Sequence, residues 1–117
     1  MLMLPSNTQV YLAAEPVDMR KSFDGLSEIV QNVIEESPFS GHLFVFCNKG
    51  RNRIKVLYWD RNGFCIWYKR FEKGRYLLPV ITGISVSMSL SDLHCVLEGI
   101  DLKKIQRLPS LHYKAVA

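Results

Sequence analysis

Three cysteines, five prolines and seven glycines are all that 117 residues hold of the types that staple or punctuate a chain. Cys47, Cys65 and Cys95 are odd in number, widely spaced and set in apolar sequence. That pattern argues against a disulfide framework and fits three buried thiols in a reducing, cytoplasmic setting. No apolar run approaches the roughly 18–20 residues that cross a bilayer, so no membrane partner is expected. The first residues, Met1-Leu2-Met3-Leu4-Pro5, have no basic n-region and meet proline at once, so no secretory leader is expected. Only three histidines occur, His42, His94 and His112, and neither Cys-x-x-Cys nor His-x-x-x-His spacing exists. Gly-rich phosphate loops and the Gly-x-Ser-x-Gly elbow are absent as well.

Metal-dependent cleavage of a phosphodiester would need clustered carboxylates. Asp18, Asp24, Asp60 and Glu72 are the candidates near the expected sheet. Asp18 reads as a helix cap, Asp60 as a turn residue, and Glu72 as an ion-pair partner of the surrounding cations. No pair is left over for two metals. The expectation is a non-enzyme without cofactor, metal or small-molecule substrate.

What the sequence does have is a globular composition, with 48% hydrophobic and 22% charged residues. Its length suits one domain over 1–117, with an ordered core at about 8–101 and a short basic tail at 102–117. The net charge of +4 is unevenly spread. Residues 1–48 carry a balance of −4, residues 49–75 one of +7, and residues 76–117 one of +1. Such clustering concentrates positive potential where a polyanion can sit.

Gln9 to Ala13 reads as an opening strand. Met19, Phe23, Leu26, Ile29, Val30, Val33 and Ile34 then fall on one stripe of a helix. Asp18 is the preferred cap and Ser22 the alternative, because Gly25 weakens a helix that starts early. Ser37-Pro38-Phe39-Ser40-Gly41 ends it. His42–Cys47, Arg53–Asp60 and Phe64–Phe71 read as a meander of strands. The last two join at Arg61-Asn62-Gly63, where Gly63 can take the left-handed conformation that a tight hairpin requires and Asn62 tolerates it too. A two-residue turn and a three-residue bulged loop remain alternatives that shift the register by one. Arg75–Thr82 reads as an extended edge and Ile84–Met88 as a last short strand. Ser89-Leu90-Ser91-Asp92 has the form of a capping box for a second helix, with Gly99 as a left-handed C-cap. The fold class expected is α+β, an antiparallel β-meander sheet with two helices packed on one face.

Basic and aromatic residues supply the one positive functional signal. Lys49, Arg51, Arg53 and Lys55 recur at every second position, Lys69 and Arg70 lie on the return strand, and Lys73 and Arg75 come just beyond it. These eight are the candidates for contact with DNA phosphates. Tyr58, Trp59, Trp67 and Tyr68 are expected at the other end of the hairpin, where exposed rings would stack on bases. The plainer alternative makes the rings core and the cations a solvated rim.

The run Asp18-Met19-Arg20-Lys21-Ser22-Phe23-Asp24-Gly25-Leu26 resembles a signature of the TnpB accessory proteins of insertion sequences of the sixty-six class. Pro38–Phe46, Lys55–Asp60 with Gly63, Lys69–Arg75 and Leu97–Asp101 resemble that family's later blocks, in order, from about Thr8 to Arg107. Cys47-Asn48-Lys49 and the tail are less basic than the family pattern. The resemblance implies a bacterial accessory protein encoded beside a larger transposase that carries the cutting chemistry. The name is shared with an unrelated RNA-guided nuclease family, whose chemistry does not transfer. Expected partners are the transposase of the same element and DNA. Arg20, Lys21 and Asp24 then become candidate partner-binding residues. The alternative for this motif is a helix entry in which Asp18 caps and Arg20 pairs with Asp24.

Overall fold

The computed structural model describes residues 4–104. Five strands form one mixed sheet in the order β4-β3-β2-β1-β5. They are β1 (Val10–Ala13), β2 (Leu43–Cys47), β3 (Arg53–Asp60), β4 (Gly63–Arg70) and β5 (Ser85–Met88). Helix α1 (Phe23–Ile29) runs on into a π-helical segment at Val30–Ile34, and α2 is Leu90–Leu97. The α+β class is as expected, and so is the antiparallel run β2–β3–β4.

Two features of the expected architecture are corrected. Strands β1 and β2 pair in parallel, Val10 opposite Leu43, with α1 in the crossover between them. A parallel pair cannot be closed by a tight turn, and the long segment between these strands supplies the connection. The helices also lie on opposite faces rather than one. Leu26, Val30 and Ile34 pack with Ala13, Phe44, Phe46 and Leu57. Leu93, Val96 and Leu97 pack with Val10, Leu12, Leu43, Val45, Ile54 and Val56. The alternation of strand side chains divides β1, β2, β3 and β4 between the two cores. All five residues of β2 are buried, as a central strand covered on both faces requires.

The first helix starts later than Asp18. Its carboxylate is already engaged: Oδ1 accepts the Arg20 N–H at 2.8 Å and Oδ2 accepts Arg20 Nη2 at 2.7 Å. Residues 18–21 close as a turn, with the Lys21 N–H donating to the Asp18 carbonyl. Ser22 becomes the N-cap, without a side-chain bond, and Leu26 N–H makes the first helical bond to its carbonyl. Met19 therefore lies outside the helix, and Phe23 and Val33 are half exposed. The helix ends at Glu35, whose φ of 62° is left-handed.

The β3–β4 hairpin takes the two-residue alternative, with Asp60 opposite Gly63. The left-handed residue is Arg61, at φ 52°, and neither Gly63 nor Asn62, the two residues suited to it. No strand forms at Arg75–Thr82. That stretch crosses the sheet irregularly, anchored by Tyr76, which is fully buried and stacked on Phe71 at 4.0 Å. The second helix is capped as its sequence implies. Ser89 Oγ accepts the Asp92 N–H at 3.0 Å. At its far end Gly99 has φ 81°, and the Gly99 and Ile100 N–H groups donate to Val96 and Cys95 carbonyls, a Schellman closure. Beyond it, Leu102–Lys104 make a 3₁₀ turn, and the rest of the expected basic tail lies outside the described residues.

Candidate nucleic-acid interface

Six of the eight candidate cations gather at one end of the sheet, on two loops and the strand ends that they join. The β2–β3 loop carries Lys49 and Arg51 and leads into Arg53. Arg70 ends β4, and the segment leaving it carries Lys73 and Arg75. Cross-strand pairing sets Arg53 opposite Arg70. The Phe71 N–H then donates to the Asn52 carbonyl at 2.8 Å, and the Tyr76 N–H donates to the Arg51 carbonyl at 2.6 Å. Those bonds stitch the loops together.

The β2–β3 loop is also pinned internally. Asn48 Oδ1 accepts the N–H groups of Asn52 and Arg53 at 3.0 Å each, and Asn48 Nδ2 donates to Asn52 Oδ1 at 2.7 Å. This bracket holds Arg51 at φ 57°. Sequence reasoning named the cations and missed Asn48, Asn52 and Tyr76, which position them. The paired asparagines flanking Lys49-Gly50-Arg51 were the available signal, since asparagine side chains bond local backbone in turns.

The other two candidates are engaged by backbone. Lys55 is nearly buried, and its Nζ donates to the carbonyls of Met19 and Lys21 at 2.8 Å each. It also lies 4.9 Å from the centre of the Tyr68 ring. Lys69 projects to the opposite face, where its Nζ donates to the Leu97 carbonyl at 2.8 Å, at the C-terminus of α2. A cation there satisfies an orphan carbonyl and complements the helix dipole. Arg70 pairs with Glu72 at 2.8 Å, an exposed bridge of little energetic weight. Lys49, Arg51, Lys73 and Arg75 are exposed.

The aromatic residues divide differently from the expectation. Tyr68 stands at the basic end, its hydroxyl 3.4 Å from Arg53 Nη1 and its ring half exposed. Tyr58 and Trp67 pack against the core on the α2 side. Trp59 lies at the hairpin end, edge-on to Phe39 and Phe64 with centroids 5.1 and 5.0 Å away.

The Asp18–Lys21 turn adjoins the basic loop. A shallow groove of about 590 Å³ runs between them, lined by Asp18, Met19, Asn48, Lys49, Asn52 and Arg53 among others. The Arg20 guanidinium holds the Asp18 carboxyl down at about 2, and the Arg20 side chain is 92% exposed. Arg20 thus pairs with Asp18 and not with Asp24, which is exposed in the first turn of α1. Burial pushes the Cys47 thiol up to about 11, so it stays protonated at neutral pH. Among the described residues, no group of three His, Cys, Asp or Glu is placed to hold a metal ion. No helix among them is long and apolar enough to cross a membrane.

The family model described as IS66 Orf2 like protein matches residues 8–107. The chain belongs to that family. The IS66 Orf2-like assignment ties it to transposition of an insertion sequence, in an accessory and not a known catalytic family. Two relatives come from Sinorhizobium fredii (strain NBRC 101917 / NGR234). Uncharacterized protein y4hO is 37% identical over 106 residues, covering 89% of this chain and 92% of that protein. Uncharacterized protein y4jC is 29% identical over 101 residues, covering 86% of each. No solved structure matches the chain.

Proposed function

We propose that this IS66 Orf2-like protein assists transposition without catalysing it, by laying its basic rim against the phosphates of element DNA. The observation that carries this reading is the pair of stitched loops, which present Lys49, Arg51, Arg53, Arg70, Lys73 and Arg75 at one end of the sheet. Phosphate contact accounts for such an arrangement better than base readout does, because among the described residues no helix or free-standing ribbon projects from this rim to enter a groove. Lys55 and Lys69 serve the fold in this scheme and not the DNA. A cytoplasmic setting belongs to the same reading, with all three cysteines free.

A second reading is favoured by the Asp18–Lys21 turn. It is fixed by Asp18 and Lys55 and offers Arg20 to solvent beside the rim. Here the transposase is the partner, held through an acidic patch, and DNA is not touched.

Titration of labelled element-end and scrambled duplexes at several salt concentrations separates the two. Each phosphate neutralised contributes a slope of about −0.9 to log K against log salt. Changing Lys49, Lys73 and Arg75 to Ala should therefore flatten the slope by about 3 in a folded variant. No binding at low salt overturns the DNA reading. A transposase pull-down that survives nuclease treatment then supports the second.

A further inference from the structure

Strand β4 is one edge of the sheet, eight residues long, and pairs with β3 without a break in register. The Phe71–Asn52 bond fixes the phase of that ladder. Alternation then turns the N–H and C=O groups of Phe64, Ile66, Tyr68 and Arg70 away from β3. Among the described residues no backbone bond reaches these groups. Natural edges are blunted by proline, bulges or lysines aimed outward. β4 has neither proline nor bulge, and its one lysine is turned to the Leu97 carbonyl. The opposite edge, β5, is only four residues long.

We propose that β4 is a dimer seam, pairing antiparallel with β4 of a second copy about a two-fold axis through Ile66. The strand's own chemistry selects this occupant. Phe64-Cys65-Ile66-Trp67-Tyr68 is an uninterrupted apolar run centred on Ile66, a residue whose main-chain groups face outward. The two-fold axis sets Ile66 against itself, Phe64 against the partner's Tyr68, and Cys65 against the partner's Trp67. Lys69 and Arg70 then fall opposite the partner's Gly63 and Asn62, so cations of the two copies never meet. Recentring on Tyr68 would instead set Arg70 against the partner's Ile66, and recentring on Phe64 would lose aromatic overlap to the turn. The pairing is isologous and consumes the long edge of both copies, so it closes as a dimer and does not propagate. It holds whether or not the basic rim binds DNA. The two rims would sit at opposite ends, with their Arg70 positions roughly 26 Å apart along the strands.

Sedimentation equilibrium on the whole chain gives the first test. A mass of twice 13.5 kDa is expected, and a monomer throughout the micromolar range overturns the proposal. Ile66→Pro deletes the central outward donor while sparing the β3 ladder, and should yield a folded monomer. A folded Ile66→Pro that stays dimeric means another surface is used, which also overturns it. Should that variant fail to fold, cross-linking decides. In a Cys65→Ser background, Ile66→Cys places two thiols on residues about 5.5 Å apart at Cα, within disulfide reach. Native Cys65 and its partner copy lie roughly 8 Å apart in this register, beyond that reach. Disulfide dimers from Ile66→Cys and none from Cys65 support the seam. The reverse pattern refutes its register.

Discussion

Replacing Lys55 with methionine removes a cation that the fold has taken inside. The side chain reaches from β3 to the turn before α1 and closes two bonds of 2.8 Å, to the Met19 and Lys21 carbonyls. A hydrogen bond to a charged group is worth about 1.5–3 kcal/mol, and the Tyr68 ring adds about 0.5–1 kcal/mol. Methionine leaves both carbonyls without this donor, yet it fills similar volume and avoids the desolvation of an ammonium. The balance is a loss of about 3 kcal/mol, large against the 5–15 kcal/mol that holds a typical domain together. The melting temperature should fall by roughly 10 °C. Urea unfolding followed through Trp59 and Trp67 fluorescence is the assay, and the midpoint should drop with the slope unchanged. The salt slope of any duplex binding should stay as it was. A variant within about 0.5 kcal/mol of the parent would refute the structural role. A slope reduced by about 0.9 at full stability would return Lys55 to the phosphate-binding set.

Three further outcomes follow from the same geometry. Asp18 should titrate near 2 in a carboxyl NMR experiment and return toward 3.8 in Arg20→Gln. Because its folded value is depressed, whatever stability the pair contributes is present above about pH 4 and fades as pH falls toward 2. Ser89→Ala should cost about 1 kcal/mol in denaturant unfolding through loss of the bond to Asp92 N–H. Gly99→Ala should cost about 1–2 kcal/mol, because φ is +81° and a Cβ would sit 3.3 Å from the Phe71 ring. Calorimetry that found Gly99→Ala neutral would contradict the left-handed closure of α2.

Local signals in the sequence carried a good part of this fold. β3 has the bounds its branched and aromatic run implied, and α2 has the serine cap and glycine closure written into Ser89 and Gly99. The sheet's two-sidedness is also visible in the unbroken apolar run Leu43–Cys47, although such a run fits one strand of a one-sided meander as well. Parallel pairing of β1 with β2 left no local mark, because it depends on where a crossover docks. Asp18 was misplaced for a related reason: a carboxylate near a helix start caps it only if no closer partner competes, and Arg20 does. The basic cluster was legible as a cluster. The sequence could not reveal which cations the backbone would claim, since Met19 and Leu97 offer carbonyls that only the folded chain brings to Lys55 and Lys69.

Strand β1 lies between β2 and β5, with Val10 paired to both Leu43 and Met88. A ribosome delivers β1 first and its outer neighbour near the end, so the sheet stays incomplete for most of synthesis. Any product that stops before Ser85 lacks β5 and α2 together. It exposes one side of β1 and strips the cover from Val10, Leu12, Leu43 and Val45. Such a fragment has an open, apolar edge of the kind that aggregates or is degraded. Synthesis through α2 is thus a condition of folding, and copies truncated before Ser85 will yield no stable product.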